Sequence, residues 1–155
     1  MKILIVYYSR TGVTKKVVEI LKQKLNCYVE EIISVKDRKG LIGYLLSGRE
    51  AMKGILAEIK PLAKNLADYD LVIIGTPVWG FNMSSPIRTF IVEQKEKLKK
   101  VAFLATMGGS GHERTFKNMV EIIGRQPIAT LEFKTLEVKQ NKMEEKINNF
   151  VDKLK

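Results

Sequence analysis

Three short apolar runs recur along the chain, at residues 3–8, 71–75 and 101–105. Each run is continuous rather than alternating and is rich in β-branched or aromatic residues, which is typical of strands buried on both faces of a parallel sheet. Two further strands are predicted over residues 27–35 and 128–138. The second of these contains an alternation at 131–134 that suits an edge strand.

Apolar residues between these runs recur at helical spacing. Pro86 suits the first turn of one such helix, and Gly124 suits the C-terminal end of another. The repeating sets are Val13, Val17, Leu21 and Leu25; Ile87, Phe90 and Ile91; Phe116, Met119, Val120 and Ile123; and Met143, Ile147, Phe150, Val151 and Leu154. Strands and helices therefore alternate, which predicts an α/β fold with a doubly wound parallel sheet and helices on both faces. No repeat or linker divides the chain, so residues 1–155 form one predicted domain.

The segment 40–60 is less regular than the rest. It contains four glycines and the apolar residues Leu41, Leu45, Met52, Ile55 and Ile59. One interpretation is a helix loosened by glycine, and the other is a helix preceded by a long loop. Its apolar residues either pack on the sheet or form a surface for a partner or a homodimer.

Composition narrows the classes of function. The chain has 155 residues and a formal charge of +10, with 45% hydrophobic and 28% charged residues, which are values of a globular protein. One cysteine and one histidine exclude an internal disulfide and a multi-histidine metal centre. No apolar run approaches the roughly 18 residues of a membrane span, and no signal peptide is recognisable, so we expect a cytoplasmic protein.

The segment after the first strand combines hydroxyls with a glycine and then enters a helix. Ligands of doubly wound sheets bind at the carboxyl ends of the strands, where the strand order reverses. The unpaired N–H groups of the helix start, together with the hydroxyls of Ser9, Thr11 and Thr14, suit a phosphate. Ordinary helix capping needs only one hydroxyl. The candidate phosphate residues are Ser9, Arg10, Thr11, Gly12, Val13 and Thr14.

Two further strand ends complete the candidate site. The segment after 71–75 carries the only tryptophan, and a tryptophan in a loop is costly unless something covers its face, as a flat ligand does. A tryptophan packed on a neighbouring loop is the alternative. The segment after 101–105 is rich in glycine, which lets a ligand approach the backbone. The candidate ring-binding residues are Thr76, Pro77, Val78, Trp79, Gly80, Thr106, Met107, Gly108 and Gly109.

These motifs resemble those of short-chain proteins of the flavodoxin family. The resemblance rests on residues 8–14, 75–80 and 106–109, and it extends over the whole chain in length and element order. It implies a five-stranded sheet of order 2-1-3-4-5 and one non-covalent FMN. The phosphate would lie at residues 9–14 and the isoalloxazine between 76–80 and 106–109, with Trp79 against its face. Typical members are acidic and place a second aromatic after the fourth strand, whereas this chain is basic and has only His112 there.

Three functions remain open from the sequence. The first is a flavodoxin-type protein that transfers electrons between protein partners through FMN. The second is an FMN-dependent NAD(P)H:quinone or flavin reductase, for which an open flavin face lets a nicotinamide or quinone stack. The third is a non-redox module whose basic surface docks an acidic protein or nucleic acid. No stretch interleaves basic and aromatic residues, so nucleic acid is not the expected partner. We expect no indispensable catalytic side chain, because FMN carries the chemistry.

Overall fold

A parallel sheet forms the centre of the protein in a computed structural model that describes all residues from Met1 to Lys155. Its strands are β1 (Ile3–Tyr7), β2 (Tyr28–Glu31), β3 (Leu71–Trp79), β4 (Asn82–Met83), β5 (Lys100–Met107) and β6 (Thr130–Lys134). The order is β2-β1-β3-β5-β6, all parallel, and β4 pairs antiparallel with the end of β3. Counting the parallel strands alone gives 2-1-3-4-5, so the predicted fold is confirmed with β4 as an addition.

Helices cover both faces of this sheet. They are α1 (Val13–Leu25), α2 (Gly40–Lys53), α3 (Ser85–Gln94), α4 (His112–Ile123), α5 (Thr135–Lys139) and α6 (Glu144–Leu154). α1, α5 and α6 pack on one face and α2, α3 and α4 on the other, each face holding a core of 19 buried residues. In β1 the side chains of Ile3, Ile5 and Tyr7 enter one core and those of Leu4 and Val6 the other, as the alternation of a strand requires. None of the helices is both long enough and apolar enough to cross a membrane.

Three predicted strand boundaries are wrong. β2 ends at Glu31 rather than at residue 35, and β3 continues to Trp79 because β4 pairs with its last two residues. β6 ends at Lys134, where α5 begins rather than a longer strand. The carboxylate of Glu137 accepts the backbone N–H of Lys134 at 2.7 Å and so caps the new helix. The predicted edge alternation is confirmed, because Leu131 and Phe133 are buried at the edge of the sheet.

The irregular segment forms helix α2, followed by an extended stretch. α2 is capped at its C-terminal end by Gly54, which has a left-handed backbone with φ of 65°. The interpretation that its apolar residues pack on the sheet is wrong for Leu41, Leu45 and Met52, which are exposed. Of the five apolar residues named for this segment, only Ile59 packs against the core, which the small residue Ala51 also enters.

Candidate functional site

Three strand ends meet at one cleft of about 200 Å³, on the carboxyl edge of the sheet between β1, β3 and β5. The strand order reverses at this point, which is where doubly wound sheets bind ligands. The lining residues are Ser9, Arg10, Thr11, Val13, Thr14, Tyr44, Pro77, Val78, Trp79, Thr106, Met107, Gly108 and Thr135. Eleven of the fifteen predicted site residues therefore line one cleft. Gly12, Thr76, Gly80 and Gly109 lie in the same segments without lining it.

The segment between β1 and α1 presents free hydrogen-bond donors. Ser9 Oγ accepts the backbone N–H groups of Gly12 at 3.1 Å and Lys15 at 3.2 Å, so this hydroxyl stabilises the helix start. The N–H groups of Val13 and Thr14 donate to no protein acceptor, and the side chain of Thr11 is exposed. The first turn of α1 contains no acidic residue. The positive end of the helix dipole is therefore available to an anion.

The Thr14 hydroxyl does not face the cleft as a free phosphate ligand, which is the position that the sequence motif predicts. Its hydroxyl is buried and lies 2.8 Å from the buried hydroxyl of Thr106. This hydrogen bond joins the start of α1 to the end of β5, and it holds two walls of the cleft together. The free donors of this segment are consequently the Thr11 hydroxyl and the two backbone amides rather than three hydroxyls.

Trp79 lies at the end of β3, and the prediction that it occupies a loop is wrong. The residue is 8% exposed, and its ring meets the ring of Tyr8 edge-on at 5.4 Å between centroids and lies 5.6 Å from the Arg38 guanidinium. Protein side chains thus cover most of the indole, although the residue also lines the cleft. Burial raises the pKa of the Tyr8 hydroxyl, against the opposing effect of Arg38 and Arg10.

A buried ion pair holds the Arg38 guanidinium that lies over the Trp79 ring. Arg38 Nη2 lies 2.7 Å from Glu50 Oε2, and both residues are buried. Ser85 donates to the same carboxylate at 3.1 Å, and Lys36 Nζ lies 3.2 Å from its other oxygen. Burial disfavours the Glu50 carboxylate, but these hydrogen bonds outweigh it and lower its pKa. The pair ties α2 to the segment that follows β2.

The segment after β5 forms a wall with few side chains. Gly108, Gly109 and Ser110 are exposed, and a Cβ atom at either glycine would meet no atom within 4 Å. Gly111 differs, because its φ is 111° and a Cβ there would lie 2.8 Å from Val78 Cγ1. His112 begins α4 and packs edge-on against Phe116 at 6.1 Å, outside the cleft lining.

Two lining residues were missed by the sequence analysis. Tyr44 reaches the cleft from α2, and the Arg10 guanidinium lies 5.4 Å from its ring centroid. Thr135 donates from its hydroxyl to the carbonyl of Met107 at 3.1 Å. Tyr44 is the only aromatic residue of segment 40–60, which was the available signal. Thr135 gave no signal, because the predicted strand ran through it.

The fold and the cleft define the class of the protein. A doubly wound parallel sheet has an anion-ready helix start and a ring-sized opening at its switch point, which is the arrangement of a flavodoxin-like flavoprotein. The chain belongs to the NADPH-dependent FMN reductase family, whose family model matches residues 1–135. No curated protein matches the chain.

Solved structures agree with this assignment. A flavoprotein from Lactobacillus acidophilus NCFM, solved in complex with FMN, is 26% identical with a TM-score of 0.73, covering 90% of this chain and 97% of its own. The apo-form of the flavoprotein from that organism is 25% identical with a TM-score of 0.65, covering 90% and 95%. A WrbA-like flavodoxin protein from Agrobacterium tumefaciens shares the fold at 14% identity and a TM-score of 0.59, covering 97% and 98%.

FMN is the cofactor of this family, and the residues of the cleft fit it. The free amides and the Thr11 hydroxyl suit its phosphate, and the uncompensated start of α1 favours its charge. The flavodoxin-type fold and the FMN expected from the sequence are thus confirmed. The match to a reductase family, rather than to the flavodoxins specifically, supports the reductase interpretation over the carrier interpretation.

Trp79 gives a direct spectroscopic test of the cleft. As the only tryptophan, it is the sole source of emission when tryptophan is excited selectively. We expect FMN added to the apo-protein to quench this emission with one saturable transition, because Trp79 lines the cleft. Trp79→Phe, which keeps an aromatic side chain, should abolish the signal and preserve binding followed by flavin fluorescence. Unchanged tryptophan emission at full FMN occupancy would place the flavin away from Trp79.

Proposed function

We propose that the protein is an FMN-dependent oxidoreductase that uses NADPH to reduce a small acceptor, a quinone or a free flavin. Family membership supports this function over electron carriage between proteins. Membership of a flavin-dependent family also argues against the non-redox module. The +10 charge fits the anionic nicotinamide nucleotide at least as well as it fits an acidic protein.

The proposed site divides its residues by task. The Thr11 hydroxyl and the backbone of residues 12–14 would hold the phosphate, with Arg10 adding positive charge. Residues 76–80, with Trp79, would flank the isoalloxazine, and residues 106–109 would line its other edge. Bound FMN supplies the redox chemistry, by accepting a hydride and passing on electrons. The protein supplies orientation and charge, and the proposal assigns no acid or base to a side chain.

The observation that carries the proposal is the bare wall at residues 108–110. An electron carrier gains by covering its flavin, whereas a hydride donor must stack on the ring at contact distance. Here Gly108 lines the cleft, its neighbours Gly109 and Ser110 follow it, and all three are exposed, so this segment places no aromatic side chain beside the opening. His112, the one ring in this segment, turns towards Phe116. A nicotinamide therefore has access from this side.

Anaerobic reduction of the FMN-loaded protein tests the proposal. We expect NADPH to bleach the flavin absorbance in a single-turnover experiment, and steady-state NADPH oxidation to require an added quinone or free flavin. Gly109→Trp should slow the bleaching, because an indole there would occupy the open wall, where a Cβ meets no neighbour. Glu121→Trp, on the exposed side of α4, serves as the matched control.

The outcomes separate the two redox functions. Slowed NADPH reduction in Gly109→Trp with unchanged FMN affinity supports hydride transfer from that wall. If NADPH leaves the flavin oxidised but a separate reductase protein reduces it, the protein is an electron carrier between proteins. A protein that binds no FMN would exclude both.

A further inference from the structure

A second groove lies beside the cleft, between helix α2 and the end of β3. Its volume is about 460 Å³, which is within the usual range of small-molecule sites. It shares Tyr44, Val78 and Trp79 with the cleft, so the two openings are continuous. The assignment of FMN to the cleft gives this groove no role. Its other lining residues are Leu45, Gly48, Arg49, Met52, Lys53 and Gly80.

The groove is a built recess rather than a flat face. A Cβ atom at Gly80 would collide with Met52 Cγ and would lie 3.0 Å from the carbonyl oxygen of Gly48. Glycine at this position therefore lets α2 and the end of β3 touch, which fixes one side of the groove. Tyr44 and Leu45 also line it and are exposed, so an aromatic ring and an apolar side chain are free to contact a ligand.

The charges around the groove are positive. Arg49 and Lys53 line it one helical turn apart, and neither side chain forms a hydrogen bond or an ion pair within the protein. No aspartate or glutamate lines the groove. The carbonyl end of α2 attracts cations, which accounts for Lys53 in its last turn but not for Arg49 one turn earlier. The groove therefore favours an anionic ligand.

A third cation lies at the end of the same helix. The guanidinium carbon of Arg88 is 3.6 Å from the position that a Cβ atom would take at Gly54, the residue that caps α2. The Nε atom of Arg88 is buried without a hydrogen-bond partner, and its guanidinium forms no ion pair. Arg88 thus adds to the positive charge at the end of the groove that is remote from the cleft.

The groove is also elongated. Tyr44 marks the end that it shares with the cleft, and Lys53 lies nine residues further along α2, which is about 13 Å along the helix axis. A ligand that uses both ends needs a ring at the flavin and an anionic group far from that ring. A quinone has a single compact ring system and lacks this second part. A nicotinamide dinucleotide has two ring systems joined by a pyrophosphate, and NADPH carries its extra phosphate at the adenosine end.

We propose that the groove binds the adenosine 2′-phosphate end of NADPH, with Arg49 and Lys53 paired to that phosphate. This inference rests on the proposed function and names the residues that select NADPH over NADH. A guanidinium can donate two parallel hydrogen bonds to a phosphate, and the ammonium of Lys53 adds charge. Tyr44 and Leu45 pack against the adenosine. Because the cleft extends from Tyr44 to the open wall at residues 108–110, the nicotinamide of the same molecule reaches the flavin.

Titration of the FMN-loaded protein with adenosine 2′,5′-bisphosphate tests the groove without turnover. We expect this ligand to bind about 10-fold more tightly than adenosine 5′-phosphate, because only the bisphosphate places a phosphate at the two exposed cations. Isothermal titration calorimetry measures both affinities. In Arg49→Ala/Lys53→Ala the two ligands should bind equally weakly. Equal affinities in the wild type would overturn the inference.

Steady-state kinetics test whether the reaction uses the groove. Arg49→Ala/Lys53→Ala should raise the KM for NADPH about 10-fold and leave kcat and the KM for NADH unchanged, because the nicotinamide half is common to both donors. The matched control is Lys99→Ala/Arg125→Ala, which removes the same residue types from exposed positions at the opposite edge of the sheet. It should leave the KM for NADPH unchanged.

The outcomes separate this inference from the proposed function. An unchanged KM for NADPH in the Arg49→Ala/Lys53→Ala variant, or an equal rise for NADPH and NADH, would overturn the inference alone. A raised KM for a sulfonated quinone, with that for NADPH unaffected, would assign the groove to the acceptor and also overturn it. If NADPH leaves the wild-type flavin oxidised, the proposed function fails, and the bisphosphate titration still decides whether the groove binds a 2′-phosphate.

Discussion

Arg38→Met should lower the free energy of unfolding by about 3 kcal/mol, the largest loss that we expect from any single polar substitution in this protein. Methionine keeps most of the length of the side chain but leaves the Glu50 carboxylate buried without its 2.7 Å partner. It also removes the donors that Arg38 gives to Ser34 and Ser47. Urea unfolding of the apo-protein is the measurement, so that FMN binding does not contribute.

The control for this substitution is Arg114→Met, which removes an exposed arginine with no ion pair, and its effect should lie within about 0.5 kcal/mol. The double variant Arg38→Met/Glu50→Gln should recover part of the loss, because no buried charge remains unpaired. Equal losses for Arg38→Met and Arg114→Met would mean that the pair contributes nothing to stability.

Acidification should remove the stabilising contribution of the Arg38–Glu50 ion pair. The pKa of Glu50 is lowered in the folded protein, so the ion pair stabilises fully above the ordinary glutamate pKa of about 4.3. Its contribution falls as the pH drops below that value and through the lowered pKa of the folded state. The stability difference between wild type and Arg38→Met should therefore narrow below about pH 4.3. A difference that stays constant to lower pH would contradict an ionised Glu50 as its source.

Arg10→Ala/Thr11→Ala should weaken FMN binding about 100-fold while leaving riboflavin affinity almost unchanged. A hydrogen bond to a charged group contributes about 1.5–3 kcal/mol, and the half-buried Arg10 cation at the edge of the cleft adds about 1 kcal/mol. Riboflavin lacks the phosphate and so never makes either contact. Titration of the apo-protein with each ligand, followed by flavin fluorescence, measures the ratio.

The matched control is Arg114→Ala/Thr130→Ala, which removes the same residue types from exposed positions outside the cleft. It should leave both affinities unchanged. Equal losses of FMN and riboflavin in the Arg10→Ala/Thr11→Ala variant would mean that the start of α1 is ordinary helix capping. Ser9 is unsuitable for this test, because its hydroxyl accepts two amides of the helix start.

Helix α2 shows how a correct local prediction misses its environment. The sequence predicts a helix with an apolar face, but the small residues Gly43, Ser47 and Ala51 allow the opposite face to approach the rest of the protein. The Arg38–Glu50 pair then fixes that side. An amphipathic pattern indicates which residues share a face of the helix. It does not indicate which face is buried when the polar side chains of one face can be buried as ion pairs and hydrogen bonds.

Trp79 and Thr14 show the same limit within the site. The sequence places both near a ligand, and both line the cleft. Their immediate partners, Tyr8 and Arg38 for the indole and Thr106 for the hydroxyl, come from other segments of the chain. Thr106 is 92 residues from Thr14, so no local pattern contains this contact.

The sequence by itself determined the doubly wound sheet and the three segments that form the site. Strands buried on both faces must be continuously apolar, and parallel strands bring their carboxyl ends to one edge of the sheet. Local sequence patterns are therefore enough to predict the sheet and the three segments of the site. Four features were decided by the tertiary structure. They are the side chains that cover Trp79, the hydrogen bond of Thr14, the position of Tyr44 in the cleft and the exposure of the apolar face of α2. Each depends on contacts between distant segments, whose geometry follows from packing rather than from residue order.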